Sequence, residues 1–194
     1  VAKGRDFPNV TLGAPVSAAQ SLFVDDFRAG ERTFSLLTQV VGRAGRGSKT
    51  GRAIIQTYTP ENEIIQCAAR QDYDQFYDEE IQLRRLRGYP PFLDLFVLTA
   101  SGLEESAVLR TCLRLRQALE KTLAAAEYRD IQVQLLGPAP AAVAKVNDRY
   151  RYRLTLRAQN QKKLRELVAH LLRQAMKDQR NRGVSLYADV NPMD

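Results

Sequence analysis

The sequence has no tryptophan, one histidine and two cysteines among 194 residues. Cys67 and Cys112 cannot build a disulfide framework, and alone they supply too few ligands for a zinc cluster. Their scarcity fits a reducing, cytosolic setting. His170 has no serine or carboxylate partner at a catalytic spacing, so it is assigned no catalysis. No run of about 18 apolar residues occurs, which excludes a membrane-spanning helix. No charged-then-apolar signal stands at the start of the sequence. No repeat or low-complexity tract interrupts it. No Gly-x-x-x-x-Gly-Lys-Ser/Thr loop is present, so nothing here cradles the β- and γ-phosphates of a nucleotide. The Glu79–Glu80 pair sits on a polar helix face and reads as solvent-facing, not as an acid/base dyad. The chain starts at Val1 and not Met, which reads as a piece of a longer protein.

What is present in excess is positive charge. The formal net charge is +7. Residues 1–88 carry 12 basic and 11 acidic residues, whereas residues 89–194 carry 17 and 11. The excess therefore belongs to the second half. A basic domain points to an anionic partner, nucleic acid first; solubility alone is the plainer explanation.

The same boundary shows in the pattern of elements. Gly88 ends a helical pattern and the Tyr89-Pro90-Pro91-Phe92 stretch forbids its continuation. Before it, Val10–Leu12 and Arg52–Tyr58 read as strands. Arg28–Val41 reads as a helix with Phe34, Leu37, Val40 and Val41 on its apolar side. Further helices run from Pro60 to about Arg70 and from about Tyr73 to Arg87. This half, residues 1–88, reads as the end of an α/β domain.

Residues 89–194 read as a complete unit. Leu93–Ala100 is a strand, and Ser101-Gly102-Leu103-Glu104 has the form of a capping box. The helix after it places Leu109, Cys112, Leu113, Leu119 and Leu123 on one stripe. Ile131–Leu136 is a strand ended by Gly137-Pro138. Ala141–Val146 and Tyr150–Leu156 flank a hairpin turn at Asn147-Asp148. Asn160 caps a helix with Leu164, Leu167, Val168, Leu171, Leu172 and Ala175 on one face, and His170 at that face's edge. Val184–Val190 is the last strand. The order predicts a small α+β sandwich, two helices on one face of a mostly antiparallel sheet.

Two segments carry candidate chemistry. In Gln39-Val40-Val41-Gly42-Arg43-Ala44-Gly45-Arg46-Gly47, two arginines three residues apart follow a helix among glycines. Glycine lets backbone approach a ligand closely. An arginine fork suits phosphate oxygens and the charge of a phosphoryl-transfer transition state. Gln39 can orient a water or touch a terminal phosphate. A glycine-rich loop with solvated arginines is the plainer alternative. The second segment is Arg149–Arg157. Period-two alternation puts Arg149, Arg151, Arg153 and Arg157 on one face of a strand and Tyr150, Tyr152, Leu154 and Leu156 on the other. Such a row, with Lys145 nearby, can track phosphates without reading sequence. A solvated face over a Tyr/Leu core weighs equally. Lys162, Lys163 and Arg165 form a second basic patch, for which a solvated helix face is the plainer reading.

Gln39–Arg46 resembles motif VI of superfamily 2 helicases. Lys3–Leu12 resembles the motif V region of the same lobe, and Asp26–Phe34 joins the two. With Gln56-Thr57-Tyr58, Tyr89–Phe92, Gly137–Pro140, Arg149–Tyr152 and Asp189–Pro192, the resemblance narrows to the bacterial primosomal helicases. It covers nearly the whole chain. It implies that residues 1–88 are the C-terminal part of the second RecA-like helicase lobe, an α/β remnant, followed by a DNA- or partner-binding domain at residues 89–194. It implies an ATP-dependent 3′ to 5′ DNA helicase that restarts stalled replication forks by primosome assembly. Arg43 and Arg46 would contact the γ-phosphate of ATP, Arg46 as arginine finger, with Gln39 and Gly42 beside it. Gly4 and Asp6 would lie at the motif V turn, with Lys3 and Arg5 as weaker phosphate contacts; Asp6 as a turn or cap carboxylate is the alternative. ATP, Mg²⁺ and zinc are expected in the full-length protein, with no zinc ligands in this stretch. Partners implied are forked and single-stranded DNA, single-stranded DNA-binding protein on the Lys162/Lys163/Arg165 patch, and primosome or helicase-loader proteins. A cytoplasmic location follows.

Ser17-Ala18-Ala19 departs from the family, which carries an aspartate after the small residues, and Ala14-Pro15 interrupts a buried strand. With no phosphate loop and no Asp-Glu metal motif, this stretch alone is expected to have no ATPase or unwinding activity. The competing reading of residues 89–194 is a stand-alone nucleic-acid-binding module of ribosomal-protein type without catalysis.

Overall fold

The computed structural model describes residues 12–24, 26–42 and 52–193. The chain divides into two compact units, Val1–Leu86 and Arg87–Asp194.

In the first unit, two-residue strands β1 (Leu12–Gly13) and β2 (Arg52–Ala53) pair in parallel. The longer strand expected over Arg52–Tyr58 does not form. The Ile54 N–H still donates to the Gly13 carbonyl and the Gln56 N–H to the Pro15 carbonyl. Pro15 has no N–H to return, so the ladder stops being regular there. A 3-10 turn (Gln20–Phe23) leads to helix α1 (Ala29–Val41). Helix α2 (Glu63–Arg70) begins three residues later than Pro60, because Asn62 caps it: its Oδ1 accepts from the Ile64 N–H at 3.1 Å. The left-handed Gln71 ends α2, and helix α3 (Tyr73–Arg87) follows. Phe34, Leu37, Ile65, Cys67, Ala68 and Phe76 form the core of this unit.

The second unit is a four-stranded antiparallel sheet with two helices on one face. Strand β3 (Asp94–Gly102) is followed by helix α4 (Glu105–Leu123), strands β4 (Val133–Val146) and β5 (Arg149–Ala158), helix α5 (Lys162–Lys177) and strand β6 (Val184–Val190). Strand order is β4-β5-β3-β6. Phe96, Leu98 and Ala100 of β3, Leu154, Leu156 and Ala158 of β5, and Leu186 of β6 face Val108, Cys112, Leu115 and Leu119 of α4 and Leu164, Leu167, Val168 and Leu171 of α5. Each fully buried leucine contributes roughly 1.5–3 kcal/mol relative to exposure. Gly102 lets α4 approach: a Cβ there would lie 2.9 Å from Val108 Cγ2.

Several local expectations need correction. The capping box does not form, because Ser101 remains in β3, paired with Arg151 on one side and Ser185 on the other. Glu104 is the N-cap residue of α4 and receives bonds from Ser106 and Arg110. The buried stripe of α4 runs through Val108, Thr111, Cys112, Leu115 and Leu119, leaving Leu113 exposed. Asn160 binds Arg165 through its side chain, and Gln161 occupies the cap of α5. Gly137-Pro138 does not end a strand. The register with β5 shifts between Leu136 and Ala139, and β4 continues to Val146. Gly137 takes φ +92, and a Cβ there would lie 2.6 Å from the Arg153 carbonyl, so the bulge needs glycine.

Candidate nucleic-acid interface

The helices cover one sheet face; the other carries the arginines. In the register, Arg151 stands opposite Ser101, Arg153 opposite Thr99 and Arg157 opposite Leu95. Tyr187 of β6 flanks Thr99 from the other side, and Ser185 flanks Ser101. Directly opposed residues share a face. The alternation read from Arg149–Arg157 is therefore the alternation of β5: Leu154 and Leu156 are fully buried under the helices.

The arginines do not stand up from this face. Arg149 reaches across β3, donating from Nη2 to the Ser101 carbonyl at 2.8 Å and to Ser185 Oγ at 3.1 Å. Arg151 spans the same strand to donate to the Tyr187 hydroxyl at 3.1 Å. Arg157 donates to the Arg87 carbonyl at 3.1 Å, and its guanidinium lies 4.8 Å from the centre of the Tyr89 ring. Long side chains thus roof the middle of β3. Thr99, on the helix-free face, is only 2% exposed. The cations are half-buried and held in a layer. Guanidinium groups keep their charge in such a setting and lose little further entropy on meeting an anion.

Lys145 does not join this row. It pairs in register with Tyr150, whose face is the opposite one, and its Nζ lies 5.1 Å from the Tyr150 ring and 3.2 Å from Asp148. Parity in a hairpin decides this, not nearness in sequence.

The second basic patch is split. Lys163 bonds Asp130 at 3.0 Å and the Glu127 carbonyl, and lies over the Tyr128 ring. It lines a groove beside α5 together with His170 and Arg173. Lys162 instead pairs loosely with Glu166, and Arg165 with Asn160. Arg173 had no sequence signal beyond its place further along the helix that carries the Lys/Arg cluster.

In the first unit, Gln39 donates from Nε2 to Ser35 Oγ at 3.3 Å and, with Gly42, borders a groove between α1 and α3. Lys3, Gly4, Arg5, Asp6, Arg43 and Arg46 lie outside the described residues. Among the described residues, no cluster of three or more His, Cys, Asp or Glu side chains is placed to hold a metal ion. Cys67 and Cys112 are both buried and form no disulfide, and burial pushes the Cys112 thiol up to about 11. None of the described helices is long and apolar enough to cross a membrane.

Comparison with known proteins bears on the whole surface. The family model of the primosomal protein N C-terminal domain matches residues 85–193. The chain is 38% identical over 192 residues to the replication restart protein PriA of Bacillus subtilis, covering 99% of this chain and 23% of that protein. It is 36% identical over 197 residues to the Haemophilus influenzae protein of the same name, covering 100% of this chain and 26% of that one. For the Synechocystis protein of the same name the identity is 38% over 155 residues, 80% of this chain and 18% of the relative. The chain thus spans about a quarter or less of the relatives it matches.

Proposed function

The chain belongs to the family of the primosomal protein N C-terminal domain, and from that premise we propose that it serves replication restart as a DNA-backbone-binding part of a PriA-type helicase. The observation that carries this is the layer of Arg149, Arg151, Arg153 and Arg157 on the helix-free sheet face. A fixed cationic layer neutralises phosphates, releases counterions and is indifferent to base sequence. Such indifference is what a protein acting at forks of any sequence requires.

For the first unit the proposal is the end of a second RecA-like lobe. Gln39, Gly42, Arg43 and Arg46 would then stand at the terminal phosphate of ATP, and Lys3, Gly4, Arg5 and Asp6 at the motif V turn. An arginine there would stabilise charge on the transferring phosphoryl group. ATP with Mg²⁺, a zinc site elsewhere in the protein, single-stranded DNA-binding protein and loader proteins as partners, and a cytoplasmic location all belong to this proposal for the whole helicase.

Charge reversal tests the interface. Arg151→Glu with Arg153→Glu is expected to weaken binding of a forked oligonucleotide and to flatten its salt dependence. Each phosphate that the variant no longer neutralises reduces the slope of log K against log salt by about 0.9 for duplex and about 0.7 for single strands. Unchanged affinity and slope in a folded double variant reject the interface.

A further inference from the structure

Residues 71–83 carry five acids, Asp72, Asp74, Asp78, Glu79 and Glu80, and no lysine or arginine, in a chain whose net charge is +7. The same stretch holds Tyr73, Phe76 and Tyr77. The structure turns this into a surface. Between α1 and α3 lies an open groove of about 710 Å³, lined by Phe34, Tyr73, Phe76, Tyr77 and Ile81 among polar side chains such as Gln39 and Glu80. Phe34 of α1 stacks on Phe76 of α3 with ring centres 4.1 Å apart and planes 7° apart. Tyr73 and Tyr77, 6.2 Å apart, line the edge and are 60% and 49% exposed. Asp74 and Asp78 are exposed neighbours of those tyrosines at the same four-residue spacing.

At the far end, Arg84 donates to Glu80 at 2.8 Å and to Glu31 at 2.9 Å. One guanidinium thus serves two carboxylates, and the Glu31 side chain remains 57% exposed. The groove is therefore apolar in part of its floor and carries two carboxylates against one cation, while Asp74 and Asp78 stand exposed on the adjoining face of α3.

Nucleic acid is a poor occupant, because its phosphates would meet this run of carboxylates. We propose that the α1–α3 groove docks an amphipathic protein segment bearing apolar and basic side chains, through its aromatic floor and acidic rim. Apolar side chains of such a segment bury against Tyr73, Tyr77 and Ile81, above the stacked and already buried Phe34 and Phe76. Its lysines or arginines meet Asp74, Asp78 and Glu31 and the faces of Tyr73 and Tyr77, where carboxylate and ring attract the same cation. The groove is opposite in charge to the arginine layer on β5; it is bordered at one end by Gln39 and Gly42, so on the reading proposed above the segment and a terminal phosphate would exclude each other there.

The test uses the full chain and a fluorescein-labelled helical peptide of about 15 residues, with leucine and phenylalanine on one face and lysine on the other. Anisotropy is read at about 150 mM salt, where the Debye length is about 8 Å and diffuse attraction is screened. The chain's positive charge works against non-specific capture of this peptide. Saturable binding is expected, and the same peptide carrying glutamate for lysine should not compete for it. Asp78→Lys and Tyr77→Ser, both at exposed positions, should each weaken binding about tenfold, or about 1.4 kcal/mol. Their far-UV dichroism and melting should match the parent. Affinity of both variants equal to the parent's, or equal competition by the glutamate peptide, overturns the proposal.

Discussion

Asn191 and Leu95 hold each other twice: the Leu95 N–H donates to Asn191 Oδ1 at 2.8 Å, and the Asn191 N–H donates to the Leu95 carbonyl at 2.8 Å. Asn191 Nδ2 also donates to Asp94 Oδ1 at 2.5 Å. This clamp joins the end of β6 to the start of β3, the two ends of the domain. Asn191 takes φ +50, a conformation asparagine tolerates better than most residues. Asn191→Ala removes the side-chain bonds and adds backbone strain. It is expected to cost about 1–3 kcal/mol. Urea denaturation should show a lower midpoint with an unchanged slope. Asn191→Gly, which relieves the strain without restoring those bonds, should fall between the two.

The bonds of Arg149 to the Ser101 carbonyl and Ser185 Oγ make it a staple across three strands. Arg149→Lys keeps the charge but not the planar fork. It should lower thermal stability while leaving most phosphate affinity in place. Arg149→Ala should lower both. If the lysine variant loses as much DNA affinity as the alanine variant, the fork itself contacts phosphate.

The contrast between these arginines and Lys145 shows what a sequence can tell. Alternation along Arg149–Arg157 gave the two faces of β5, because period two is a local property. The extents of α3 and β6 were legible from their borders instead, Gly88 with the two prolines after α3 and Gly183 before β6, both glycines at positive φ. The laying of Arg149 over Ser101 and of Arg151 across β3 depends on β6 bringing Ser185 and Tyr187 within reach, which no local pattern shows. The face of Lys145 depends on hairpin register. The missing capping box fails similarly: Ser101 is a good cap in isolation, but two neighbouring strands extend β3 through it. The groove between α1 and α3 left a trace in the acid-and-aromatic run 71–83, yet only the stacking of Phe34 on Phe76 turns that run into a surface.

With no phosphate loop in its 194 residues, the chain by itself is expected to release no phosphate from ATP above blank, with or without forked DNA. A coupled phosphate-release assay checks this. Turnover that depends on Arg46 would mean that a complete ATP site exists within these residues.

Cys112 is 1% exposed and Cys67 is fully buried, and burial raises both thiols, Cys112 to about 11 from an ordinary 9.0. Neither should react with a disulfide reagent at pH 8 in the native state, and both should react in guanidinium. The linkage has a definite sign. A thiol whose folded pKa is raised contributes stability below pH 9 that is lost as pH climbs toward 11, because only the unfolded chain releases the proton there. Denaturation midpoints at pH 8 and pH 10.5 should differ in that direction. Cys112→Ala should remove most of the difference.

Asn181 shows how the helical layer is locked to the last strand. It is 6% exposed, and its Oδ1 accepts from Thr111 Oγ1 at 3.1 Å and from Arg114 at 3.0 and 2.5 Å. Its Nδ2 donates to the Ala175 carbonyl at 2.8 Å. One amide thus links α4 to the end of α5. Asn181→Leu, close in volume, removes the acceptor shared by Thr111 and Arg114 and the donor to the Ala175 carbonyl, while Arg114 keeps the Arg180 carbonyl. That should cost about 1–3 kcal/mol. Asn181→Asp keeps the acceptor and places a negative charge against Arg114, but it turns a carboxylate oxygen onto the Ala175 carbonyl where Nδ2 donated at 2.8 Å, so the two effects partly offset and the loss should be smaller than leucine's. Urea midpoints of the two variants decide the matter. Similar losses for leucine and aspartate would mean that packing, and not the charge-assisted bond to Arg114, holds α4 against the turn into β6.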